Sequence, residues 1–174
     1  MSKIDYDLKK IKAVAFDIDG VLSPSCIPLG HDGTPQRMVN IKDGYALQLA
    51  VKRGLKLAII TGADTPSIKV RYEALGIKDV YLKAGRKIEI LNGWMADNGL
   101  TAEETAFVGD DIPDYQPMTS VGLSVAPKDA ASDIKAIARY ISPVNGGHGV
   151  ARDLLEEILK AQGLWMNDAK AFGW

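Results

Sequence analysis

Short apolar, β-branched runs alternate along the chain with longer stretches whose apolar residues recur at helical spacing. The runs at 12–17 (KAVAFD), 55–60 (LKLAII), 79–82 (DVYL), 105–110 (TAFVGD), 121–126 (VGLSVA) and 139–142 (RYIS) predict strands. The intervening segments 43–53, 65–75, 86–98, 112–119, 130–137 and 150–162 predict helices. Local chemistry supports these boundaries. Thr65-Pro66 suits an N-cap with proline in the first turn, and Gly54, Gly76 and Gly99 stand where helices end on a left-handed residue. The alternation predicts an α/β fold: a Rossmann-like, doubly wound, mostly parallel sheet with helices on both faces. In such sheets ligands bind beyond the carboxyl ends of the strands.

One segment breaks the rhythm. Residues 23–42, SPSCIPLGHDGTPQRMVNIK, place HDGT between strand-like CIPL and QRMVNI, which predicts a protruding β-hairpin directly after the first strand. The tail 163–174, GLWMNDAKAFGW, is too short for a domain, yet Trp165, Met166, Phe172 and Trp174 predict that it packs on something. With no internal repeat or low-complexity tract, residues 1–174 read as a single domain.

Composition narrows the class. The 174 residues are 47% hydrophobic and 25% charged with a formal net charge of -1, enough for one good core and short for two. Near-neutral charge offers no electrostatic footprint for nucleic acid or an anionic membrane. The single cysteine, Cys26, can form no internal disulfide, and the first residues alternate charge with apolar groups instead of building a signal-peptide core. No apolar run approaches the ~20 residues of a membrane span. The expectation is a cytoplasmic protein.

The polar residues at the predicted strand ends form a set. The first strand ends in Asp17 and Asp19, followed by Gly20; the second ends in Thr61 and Gly62. The fourth ends in Gly109, Asp110 and Asp111, with Asp114 a turn later, and Lys87 opens the helix after the third. In a parallel sheet these termini share one edge. Each motif alone is an ordinary turn or cap; their joint occurrence is not, because clustered carboxylates repel unless a cation sits among them. An oxygen-only donor set without His or Cys favours Mg2+ over zinc. An EF-hand is excluded, since glycine follows the second aspartate at once and a strand precedes it. Mg2+ beside a lysine, a hydroxyl and backbone amides is a site for a phosphate group.

The ordered set DIDGV, TG, Lys87 and GDD resembles the haloacid dehalogenase superfamily of phosphotransferases over nearly the whole chain from Ile11 on. The segments FDIDGVLS, VNIKDGYALQLA, AIITGADTPSIKVRYEALGI, VGDDIPDYQPMTSVGLSVAPKDA and NGGHGVARDLLEEILKAQG are similar to its small cap-less branch. That branch includes the 3-deoxy-D-manno-octulosonate 8-phosphate phosphatases. The resemblance implies a Mg2+-dependent phosphatase of a small sugar-acid phosphate, working through an aspartyl-phosphate on Asp17. Catalytic roles then fall to Asp17, Asp19, Thr61 and Lys87. Asp17, the carbonyl of Asp19, Asp110 and Asp111 would hold the metal. Asp19, Gly20, Thr61, Gly62 and Lys87 would bind phosphate, and Asp114 would support the loop. Asn40, Ile41, Lys42, Asp43 and Gly44 would line the substrate path, and Arg71 would pair with the sugar-acid carboxylate.

The gaps 19–61 and 61–87 have no room for a cap domain. The resemblance accordingly implies a homotetramer whose hairpins and tails cover neighbouring sites, with no nucleic-acid or membrane partner. The chain departs from the family pattern at Ala63, where octulosonate phosphatases typically carry arginine and nonulosonate phosphatases glutamate. Lys42 and His148 stand where arginines are usual, and Pro24 or Ser25 stands near a common acidic position. The substrate therefore lies between octulosonate 8-phosphate, which is favoured, and a nonulosonate 9-phosphate. A phosphoryl-accepting signalling module is the alternative from another class. Its acidic pair precedes a phosphorylated aspartate on a later strand, and the acid/base Asp19 built in beside Asp17 favours hydrolysis.

Overall fold

The computed structural model describes residues 2–174. Six strands, β1 (Ala13–Phe16), β2 (Lys56–Ile60), β3 (Asp79–Tyr81), β4 (Thr105–Val108), β5 (Leu123–Ala126) and β6 (Tyr140–Ile141), form one sheet in the order β3-β2-β1-β4-β5-β6. All neighbours pair parallel, with Phe16 in register with Ile59 on one side and with Val108 on the other. The helices are α1 (Ile41–Lys52), α2 (Pro66–Ala74), α3 (Lys87–Asp97), α4 (Tyr115–Thr119), α5 (Ser132–Ile137) and α6 (Val150–Ala161).

Both faces of the sheet are covered, which is why the central strands read as unbroken apolar runs. Strand alternation sorts the side chains. Val14, Phe16, Leu57, Ile59, Ala106 and Val108 pack with α1, α2 and α6 on one face. Ala13, Ala15, Ala58, Ile60 and Phe107 pack with α3, α4 and α5 on the other. The small alanines on that second face leave room for Trp94, whose indole N–H reaches Asp79 at 2.9 Å. The result is the doubly wound α/β fold expected, with no cap domain.

Departures from expectation are local and have physical causes. Helix α1 starts at Ile41, ahead of the expected 43, because Asn40 caps it and accepts from the Lys42 and Asp43 N–H groups. The segment 112–119 divides into a 3-10 turn, Ile112–Asp114, and the short α4. Strand β4 stops at Val108, since Gly109 and Asp110 peel away to build the site. The hairpin pairs through one antiparallel bridge, Leu29–Pro35, in place of two full strands. Gln36 N–H donates to Pro28 O at 2.9 Å and Gly30 N–H to Thr34 O at 2.8 Å. Pro24, Pro28 and Pro35 have no N–H, so no longer ladder can form. The tail lies on its own chain: Tyr45 meets Trp165 and Trp174 edge-on at 6.1 Å each, and Arg53 holds Asp168 with two hydrogen bonds of 3.0 and 2.9 Å. Among the described residues, no helix is long and apolar enough to cross a membrane.

Candidate active site

The chain leaves β1 in one direction across the sheet and returns to place β4 on its other side, so the topology reverses between these two strands. Crevices form at such switch points beyond the carboxyl ends. Asp17 follows β1 and Asp110 follows β4 by two residues, which brings two carboxylates to that crevice. Asp17 is only 7% exposed; its Oδ1 accepts from Ile18 N–H at 2.7 Å. The turn beyond it is wound by the Val21, Leu22 and Ser23 N–H groups donating to the Ile18 carbonyl. Gly20 sits at φ 83°, and a Cβ there would lie 1.8 Å from Asp110 Oδ2, so the close approach of the two acidic loops requires glycine.

Lys87, the first residue of α3, is buried and spans the site. Its Nζ lies 2.8 Å from Asp17 Oδ2 and 2.7 Å from Asp114 Oδ1. The other Asp114 oxygen accepts from the Asp110 and Asp111 N–H groups at 3.0 and 3.4 Å, tying the GDD loop to the lysine. Thr61, buried at the end of β2, accepts from Ala63 N–H at 3.2 Å. Asp17, Asp19, Thr61, Gly62, Lys87, Asp110, Asp111 and Asp114 all line one cleft of about 440 Å³, with Ser25, Ala63, Ala84, Gly85 and Pro113 completing its wall.

Charge in this cleft is unbalanced. Asp17, Asp110 and Asp114 each place an oxygen within 4.8 Å of the others, and one ammonium serves them. Burial, then the repulsion of Asp17, Asp114 and Asp111, pushes the Asp110 carboxyl up to about 8 against the pull of Lys87. Burial and the Asp114 charge likewise raise Asp17, although Lys87 touches it. Burial opposes the charge on Lys87, but the Asp17 and Asp114 carboxylates outweigh it and hold the ammonium above its usual range.

A profile of the haloacid dehalogenase-like hydrolase family matches residues 79–154. The 3-deoxy-D-manno-octulosonate 8-phosphate phosphatase of Escherichia coli is 34% identical over 155 residues, covering 89% of this chain and 82% of that protein. The chain belongs to the haloacid dehalogenase superfamily. Among solved structures, the corresponding phosphatase of Moraxella catarrhalis, in complex with magnesium, phosphate and KDO, is 32% identical over 90% of each chain, with a TM-score of 0.86. The cobalt-bound phosphatase of Haemophilus influenzae is 30% identical, covers 95% of this chain and 98% of its own, and gives a TM-score of 0.88.

For this superfamily member, the cleft's own chemistry fits Mg2+. The donors are hard carboxylate oxygens without His or Cys, and their excess negative charge is what a divalent cation relieves. Asp114 is the least available of the three clustered acids, since both its oxygens already serve Lys87 and the loop amides.

Not every residue expected in the site lines the cleft. The Gly20 amide donates to Ser23 O at 2.9 Å, within its own turn. Asp43 is buried in the seam between α1 and α6, where it accepts from Arg152 N–H at 2.7 Å. Arg71 lies over Gly44, where a Cβ would come within 2.6 Å of its Nη2. These two residues, with Asn40 and Gly44, line a small hollow too narrow for a water molecule and separate from the acidic cleft. Asn40 is spent on capping α1 and Ile41 is exposed. Lys42 and His148 border a different groove with Arg152. Residues 40–44 form the N-cap and first turn of α1 and do not line the acidic cleft.

One contact at the cleft is not marked in the sequence. Arg37, on the returning arm of the hairpin, grips Asp19 in a fork: Nε lies 2.7 Å from Oδ1 and Nη2 2.8 Å from Oδ2. Its Nη1 donates to Thr65 Oγ1 at 2.9 Å. In the sequence Arg37 looks like any polar residue of an alternating strand, and nothing local marks it.

Proposed function

We propose that this chain is a Mg2+-dependent phosphatase that hydrolyses 3-deoxy-D-manno-octulosonate 8-phosphate to the sugar acid and phosphate. It does so as a single domain spanning 1–174, in the cytoplasm, in the supply of lipopolysaccharide precursors. The observation that carries this reading is Lys87 bridging buried Asp17 and Asp114 at the β1/β4 crevice, with Asp19 two residues beyond Asp17 at its mouth. Similarity to the named phosphatases over most of both chains supports the substrate.

An Asp17 oxygen attacks phosphorus while the bond to the sugar oxygen breaks, and Asp19 gives that oxygen a proton. Asp19 then takes a proton from water as the water attacks phosphorus, and the phosphorus–oxygen bond to Asp17 breaks to release phosphate. Lys87 keeps Asp17 oriented and offsets charge gathering on the phosphoryl oxygens, and Thr61 and Gly62 face those oxygens. Asp17, the Asp19 carbonyl, Asp110 and Asp111 would hold Mg2+, which when bound neutralises carboxylate and phosphoryl charge. Since no cap covers the cleft, we assign a homotetramer in which hairpins and tails close neighbouring sites. Exposed Leu29, Met38 and Val39 on the hairpin and Phe172 and Trp174 on the tail are suited to that role.

The test is phosphate release from a panel containing octulosonate 8-phosphate and nonulosonate 9-phosphates, with and without Mg2+. Octulosonate 8-phosphate should lead, release should vanish in chelator, and Asp17→Asn should lower it on the order of a thousandfold or more while the chain stays folded. Normal turnover in Asp17→Asn would sink the mechanism. A nonulosonate leading the panel would move the substrate to the second sugar-acid class, which Ala63 leaves open.

A further inference from the structure

We propose that Arg37 determines substrate specificity. Its guanidinium holds Asp19 in the free protein and passes to the carboxylate of a sugar-acid phosphate as one binds, releasing Asp19 for proton transfer. This rests on the phosphatase reading and names the residue that takes the substrate's second anionic group.

Four observations support the exchange. First, the fork engages both Asp19 oxygens, at 2.7 and 2.8 Å, so either oxygen must share or shed a guanidinium contact to serve a leaving group. Second, the Arg37 side chain is 12% exposed whereas that of Asp19 is 42% exposed. A bidentate fork is among the stronger ion pairs, and a substrate carboxylate restores both of its bonds, so the exchange replaces like with like. The planar fork fits any carboxylate and keeps its charge at every working pH, so partners change without a protonation step.

Third, Arg37 has an anchor that survives the exchange. Thr65 is the N-cap of α2, yet its side chain makes no capping bond and accepts from Arg37 Nη1 at 2.9 Å. The backbone on either side is pinned, by Gln36 N–H to Pro28 O at 2.9 Å and by Met38 N–H to Ser23 Oγ at 3.2 Å. Fourth, the other cations nearby already have partners. Lys87 serves Asp17 and Asp114, Lys83 pairs with Asp64, and Arg86 pairs with Glu89. Arg71 lies over Gly44, away from the cleft. Ala63, at the cleft wall two residues before Thr65, presents only a methyl group.

The experiment compares wild type with Arg37→Met on two substrates, octulosonate 8-phosphate and p-nitrophenyl phosphate, which has no carboxylate. Arg37→Met should lower kcat/KM for the sugar acid tenfold to a hundredfold, on the order expected for a lost charge-assisted contact, mainly through KM. On p-nitrophenyl phosphate kcat should rise, because Asp19 is no longer held. A fall on both substrates overturns the proposal and leaves Arg37 as a positioning residue for Asp19. A rise on both also overturns it and leaves a latch blind to the substrate. Calorimetric titration with the free sugar acid reads the contact without turnover: Arg37→Met should bind it about tenfold more weakly. Equal affinity overturns the Arg37 assignment, whereas failure of wild type on every phosphate ester overturns the phosphatase reading instead.

Discussion

Asp110 and its neighbours concentrate the site's electrostatic tension at the residue scale. With burial and three acids pushing it up to about 8, the folded chain prefers Asp110 protonated. A carboxyl raised on folding contributes stability that is full below its unfolded value of about 3.9 and is lost as pH climbs through the folded one. Metal-free protein should therefore lose stability from about pH 4 to about pH 8, and Mg2+ should restore it most at the upper end, where the ligand is ionised. Melting curves in chelator and at Mg2+ about a hundredfold above its Kd should differ by roughly 2.7 kcal/mol at about pH 8 and far less at pH 5. Asp110→Asn should reduce the metal-free pH dependence, leaving the part due to Asp17 and Asp43, and abolish the Mg2+ response. An undiminished response in that variant would remove Asp110 from the ligand set. Most of this site was legible in the sequence, because Asp17, Thr61, Lys87 and Asp110 mark strand ends and a helix start that a parallel sheet must gather on one edge. Arg37 was not, because its partner is fixed by the path of an irregular loop and no periodicity describes that path.

At the scale of elements, the position of Asp43 outside the cleft has a simple cause. The strands and helices were readable because their apolar faces repeat at periods of two and 3.6. What periodicity does not give is which polar residue a crossing of two helices swallows. Asp43 is such a residue: α1 carries it into contact with the N-terminus of α6, where one oxygen accepts from Arg152 N–H and the other is buried without a partner. Burial pushes its carboxyl up to about 6, against the opposing bond and charge from Arg152. As a raised carboxyl, it too contributes stability that is complete below about pH 4 and gone above about pH 6, so at neutral pH its charge strains the α1–α6 seam. Asp43→Asn keeps an oxygen for the Arg152 amide and removes that charge. Denaturant melts should show a gain of about 1–3 kcal/mol at neutral pH that disappears below about pH 4. A loss at neutral pH would instead mean that the Asp43 charge is needed, with Arg152, whose charge acts on it across the seam, as its partner.

The whole molecule raises the question of what covers the cleft. The doubly wound sheet delivers its catalytic candidates to an open edge, and the hairpin and the tail are the candidates to shield them. The hairpin projects Leu29 at 70% exposure, and the tail leaves Phe172 at 73% and Trp174 at 69% exposed, although Trp174 also touches Tyr45. Apolar groups this exposed on two segments of one chain are suited to burial between copies. Light scattering should accordingly give four times the 18.8 kDa mass of the chain. Two variants separate assembly from folding. Leu29→Asp with Val39→Asp places charge on the hairpin, where Leu29 and Val39 are exposed within the chain, so the fold should melt within about 1 kcal/mol of wild type. That double variant should run at lower mass and lose turnover on the sugar acid, because its clefts stay wet. Ending the chain after Gly163 removes the Tyr45 and Arg53 contacts as well, so it should cost stability in addition to activity. A fully active monomer would show instead that the hairpin's exposed side chains serve no shared site, and that Arg37 and Asp19 close the cleft within one chain.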